Sequence, residues 1–86
     1  MLHCYCVKDE KMETFNSPWF AKGEVDAMRS LVIAVNQPES NLNRFPEDFT
    51  FYYIGEYDEK TGVFTSPKNG PEKKLSISTL IKTPKQ

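Results

Sequence analysis

Apolar and polar positions change period several times along the chain, and each change marks an element. Leu2 to Val7 alternates in a β-favouring composition and predicts a strand. The Asp9-Glu10-Lys11 cluster predicts a turn, after which Met12 to Phe15 returns as a short second strand. Asn16-Ser17-Pro18 ends that hairpin, because proline cannot donate to a sheet ladder. Trp19 and Phe20 follow as an extended connection. The period then lengthens: Val25, Met28, Leu31, Val32 and Val35 recur as one buried helical stripe, predicting a helix over Glu24–Asn36. Glu24 and Asp26 in its first turn complement the helix dipole, and Pro38 cannot continue it.

Pro38 to Pro46 is a polar linker pinned to the core by Leu42 and Phe45. The most β-like run is Phe49 to Tyr57, aromatic at positions of both parities, so both faces of that strand are expected to be at least partly covered. Asp58 to Gly62 predicts a type I turn closed by a glycine of positive φ, with Val63 to Thr65 as the return strand. A loop rich in Pro, Gly and Asn leads to a short edge strand over Leu75–Ser78. The expected fold is α+β: a small antiparallel sheet of four to five strands with one helix packed on one face, in the order β-β-α-β-β with a last β as an option. The expected organisation is a core domain over residues 1–67 and a basic C-terminal segment over 68–86.

At 86 residues there is room for one domain, and a 38% share of apolar residues supplies one compact core but no second. A formal net charge of −1 excludes a packaging polycation and argues against purely electrostatic binding of nucleic acid. The charge is unevenly spread, however. Glu39 to Glu59 holds six acids against Arg44 alone, and the segment from Lys68 to the end holds five lysines against Glu72. That polarity suits head-to-tail association or a docking tail, or else an ordinary solvated surface. No apolar stretch is long enough to span a membrane, and no secretory signal is expected.

Few residues could carry catalysis. His3 is the only histidine, and no Ser-His or Cys-His motif accompanies it. The four glycines, at 23, 55, 62 and 70, are too scattered for a phosphate-cradling loop. Cys4 and Cys6 point to the same side if the first strand forms. A disulfide across two residues would be strained, and with His3 they fall short of a zinc ligand set. They are expected to be free thiols packed as small apolar side chains. No enzyme, no metal and no cofactor are expected.

The eleven aromatic residues, several on one expected hairpin, admit two readings. They could fill a core short of Leu and Ile. Alternatively, an uncovered aromatic face could stack the bases of a single strand or meet another protein. Tyr52, and with it Tyr5, are the tyrosines best suited to such a face. For DNA contact the charge pattern selects Lys68, Lys73, Lys74, Lys82 and Lys85 as phosphate partners and Tyr52 as a stacking residue. Arg29 is a further candidate that could instead pair with Glu24 or Asp26.

Several of these segments resemble the small nonstructural protein of gokushoviruses, the Microviridae subgroup of single-stranded DNA phages. The likeness is carried by Pro18 and Phe20, by Ala27, Arg29, Leu31 and Ala34, and by the Val35-Asn36-x-Pro38 helix exit. It is densest in Pro46-Glu47-Asp48-Phe49, Tyr52, Ile54-Gly55-Glu56-Tyr57-Asp58-Glu59 and Gly62, and covers roughly residues 2–63. Two positions depart from it: Leu31 where the family has phenylalanine, and Lys22 where it has arginine, which puts a bidentate role there in doubt. The resemblance implies a DNA-binding protein that acts in the host bacterial cytoplasm and favours single-stranded genome synthesis. Its partners would be single-stranded DNA and phage or host replication proteins. A homodimer could join two weak basic tails. The alternative is an adaptor that binds a phage or host protein and never touches DNA.

Overall fold

A computed structural model of the protein describes residues 1–81. It is an α+β domain with a six-stranded antiparallel sheet and one main helix. The strands are β1 (Leu2–Asp9), β2 (Thr14–Phe15), β3 (Trp19–Ala21), β4 (Phe49–Asp58), β5 (Val63–Thr65) and β6 (Glu72–Ser76). The main helix, α1, spans Glu24–Val35, and a single turn, α2, spans Asn41–Arg44.

Six strands exceed the four to five expected because each outer column of the sheet is built from two short pieces. β1 and β4 pair along their whole length in the centre; β3 and β2 share the far side of β1, and β5 and β6 share the far side of β4. The strand missed in the sequence is β3, expected as a connection. Three residues are too few to display a period, and what makes them a strand is pairing with β1 through His3↔Ala21, Cys4↔Phe20 and Tyr5↔Trp19. The last strand also lies earlier than Leu75–Ser78. Ser76, paired with Thr50 at the end of the ladder, caps a 3-10 turn over Ile77–Leu80, its hydroxyl accepting from the Ser78 N–H.

The helix forms where expected, with Asn36 as its C-cap, but the stripe it buries is different. Ala27, Leu31 and Val35, spaced by four, face the sheet, whereas Val25 lies on the far side and is 67% exposed. Met28 packs against the margin of this core. Tyr5 and Val7 of β1, Phe49 and Phe51 of β4, and Ile77 complete the core on this side. Tyr5 is therefore no surface stacking residue: only 3% exposed, it lies against Phe51 at 5.4 Å between ring centroids. Residues 72–81 share this sheet and core with the preceding chain, since β6 pairs with β4 and Ile77 is fully buried.

A bulge in β4 decides which aromatic residues share a face. Cys4 is opposite Gly55 and Tyr5 is opposite Tyr53, which leaves Ile54 as the extra residue. Simple alternation would put Tyr53, Gly55 and Tyr57 on one face. With the bulge, Tyr53 stays on the helix side, while Gly55 and Tyr57 move to the opposite side with Leu2, Cys4 and Cys6.

Candidate nucleic-acid interface

The sheet face turned away from α1 collects the residues that could bind a ligand. Paired residues point to the same side of a sheet, so the register assigns Tyr52 to Cys6, Phe15 to Lys8, Phe20 to Cys4, Tyr57 to Leu2 and Phe64 to Tyr57. Two ring pairs result, Phe15 edge-on to Tyr52 at 5.1 Å and Phe20 tilted on Tyr57 at 5.8 Å. Despite these contacts Phe15, Phe20 and Phe64 remain 41%, 50% and 44% exposed. Between Phe15 and Phe64 runs an open cleft of about 310 Å³, floored by Cys6 and Ile54 and bordered by Ser66, Gly70 and Pro71.

Gly55 makes the far wall of that cleft possible. Its φ is +150°, and a Cβ there would come within 2.6 Å of both the Phe64 ring and the Thr65 carbonyl oxygen. Only glycine lets the Phe64 ring approach the β4 backbone this closely. Beneath the rings, Cys4 and Cys6 are buried free thiols. Burial pushes the Cys6 pKa up to about 11 and raises that of Cys4 as well, so both are neutral packing groups at physiological pH.

Lysines rim the same face. The Lys8 ammonium stands 5.4 Å from the Phe15 ring centroid and 3.5 Å from the Glu10 carboxylate. Lys73 is directly opposite Tyr52, and Lys68 is exposed in the loop that borders the cleft. Glu10 lies among these lysines. Its carboxyl is held below the ordinary range by a hydrogen bond with the Thr50 side chain and by the charges of Lys8 and Lys73.

The other sequence-selected residues are dispersed. Lys74, the bulged residue of β6, turns toward the helix side. There its ammonium lies 3.6 Å from Glu24, 3.9 Å from Glu72 and 5.7 Å from the Tyr53 ring centroid. Arg29 is exposed on α1, on the opposite side of the molecule from the aromatic rings, and pairs with neither Glu24 nor Asp26. Lys82 and Lys85 lie outside the described residues. The structure adds Lys8, Phe15, Phe20, Tyr57 and Phe64 to Tyr52, Lys68 and Lys73. Of these, Tyr57 and Phe64 were recognisable as aromatic, but their side of the sheet depends on the bulge.

A second polar group occupies the helix-side edge. His3 Nδ1 and the Tyr53 hydroxyl share a hydrogen bond of 3.1 Å. The Tyr53 pKa is raised, first by burial and then by Glu56 and Glu72, so its hydroxyl stays protonated at neutral pH. Among the described residues no three His, Cys, Asp or Glu side chains come together as a metal-binding group.

A family model described as phage ORF5 protein matches residues 2–80. The chain belongs to the phage ORF5 protein family. Comparison with curated proteins and with solved structures found no match. The matched span contains every element among the described residues, including both walls of the aromatic cleft and the segment from β6 to the final 3-10 turn. Among the described residues, no helix is long and apolar enough to cross a membrane.

Proposed function

We propose that this ORF5 family member is a non-enzymatic accessory protein of phage DNA replication that binds single-stranded DNA on the sheet face opposite α1. One observation carries the reading: Phe15, Phe20 and Phe64 stand exposed on a face that also presents Tyr52, Lys8 and Lys73, with Lys68 exposed in the adjoining loop. Aromatic side chains stack on the flat face of any base, and neighbouring lysines meet the phosphates, which gives binding without sequence readout. A duplex hides its base faces and would gain only the phosphate contacts. The cleft between Phe15 and Phe64 suits one unstacked base, held between rings over an apolar floor. The likeness of Pro46–Asp48 and Ile54–Glu59 to the gokushovirus nonstructural protein supports a Microviridae setting, the host cytoplasm and a role in single-stranded genome synthesis.

Fluorescence anisotropy of a labelled oligothymidylate, at low and moderate salt and against a duplex of equal length, tests the reading. Salt-sensitive binding that favours the single strand is expected. Phe20→Ala or Phe64→Ala should weaken it by about 5- to 150-fold, the range for losing one stacked base. No binding at low salt, or binding indifferent to both substitutions, overturns it and turns the search to a phage or host protein partner.

A further inference from the structure

The outward side of α1 carries a second, unrelated surface. Val25 and Ile33 are 67% and 66% exposed, four residues before and four residues after Arg29, and with Val32 they form an apolar stripe opposite the buried one. A shallow groove follows this stripe, lined by Val25, Met28, Arg29, Val32 and Ile33. Arg29 and Asp26 are both exposed here, and neither has an ion-pair partner among the described residues. Glu24 and Asp26 crowd the helix N-terminus, so neither a phosphate chain nor an anionic lipid surface suits this face.

We infer that a second copy of this chain covers it, with the two α1 helices packed antiparallel about a two-fold axis beside Arg29. The spacing itself is two-fold complementary. About that axis Val25 of each copy lies against Ile33 of the other, because the residues stand equally far from Arg29 in opposite directions. Asp26 is displaced from Arg29 by three residues, about 4.5 Å along the helix. With helices about 8–10 Å apart, each Arg29 is within side-chain reach of the other copy's Asp26. Two arginines near the axis are thus balanced by two aspartates, and charges unpaired in one copy are paired in two. The antiparallel arrangement also opposes the helix dipoles favourably. In this dimer the aromatic sheet faces point outward, away from the joint.

The inference is independent of DNA binding and is tested without DNA. Light scattering or sedimentation equilibrium over a range of protein concentrations should give the mass of two chains, falling toward one on dilution. Ile33→Glu should leave a single-chain mass at all concentrations while the far-ultraviolet circular dichroism stays that of the parent, since this side chain is two-thirds exposed. Asp26→Arg and Arg29→Asp should each raise the dissociation constant by tenfold or more. The double exchange, Asp26→Arg with Arg29→Asp, should restore most of the loss. A single-chain mass of the parent protein at every concentration overturns the inference. So does a dimer that survives Ile33→Glu, or a double exchange no tighter than either single one.

Discussion

Gly55 shows how one missing side chain can position a surface. Its backbone lies in a region that L side chains rarely adopt, and the Phe64 ring fills the space a Cβ would need. Gly55→Ala must therefore push away both a ring and a backbone carbonyl, and we expect a loss of about 2–4 kcal/mol in urea denaturation. An unchanged midpoint would mean that Phe64 does not rest on β4. The buried thiols make a second residue-level case, in pH. The native state holds the Cys6 proton to about pH 11, whereas an unfolded cysteine loses it near its ordinary value of 9.0. The unfolded chain thus releases protons first as pH rises, so stability should be unaffected below pH 9 and fall between about 9 and 11. In Cys6→Ala that fall should be shallower, and denaturant melts across this range read the difference.

At the level of elements, the closing 3-10 turn is as much part of the core as α1. Ile77 is fully buried among the helix-side residues, directly after β6 leaves the ladder. Ile77→Ala should cost about 2–5 kcal/mol, whereas Val63→Ala on exposed β5 should cost less than about 1 kcal/mol. Equal losses at the two sites would refute that division. Element identity was largely legible in the sequence. β1, α1, β4, the hairpin closed by Gly62 and β5 each carry a local signal: alternation, a 3.6-residue period, or a glycine of positive φ, here +76°. The three-residue β3 was not legible, because hydrogen bonds to a distant partner, not a repeating pattern, define it. Even α1 was only half legible. Its length followed from periodicity, but with Val25, Ala27, Met28, Leu31, Val32, Ile33 and Val35 all apolar, hydropathy did not distinguish the buried side from the exposed one.

Across the whole molecule, chemistry is divided between opposite sides. The aromatic face carries Lys8 and Lys73 near Glu10, with Lys68 exposed in the loop beside it, while Lys74 is held among Glu24 and Glu72 on the helix side. A chain of net charge −1 can thus present a locally basic surface. Three phosphate contacts on a single strand correspond to a slope of about −2 in log affinity against log salt, and Lys73→Ala should shallow it by about 0.7. A slope near zero would remove phosphate from the account of any binding observed.

The sequence by itself determined the α+β class, the place of the helix and the long central strand, the closing turn of the hairpin, and the presence of many aromatic residues near a few lysines. These are local properties, set by backbone preference and by the period of side chains along one segment. The tertiary structure decided which side each residue occupies. One extra residue in β4, Ile54, moves Tyr57 across the sheet to join Phe20, and one in β6, Lys74, brings Lys73 to the aromatic face opposite Tyr52. A bulge is a mismatch between two strands distant in sequence, so no pattern within either strand specifies it. The exposed aromatic face and the uncovered side of α1 both exist only once those strands have met.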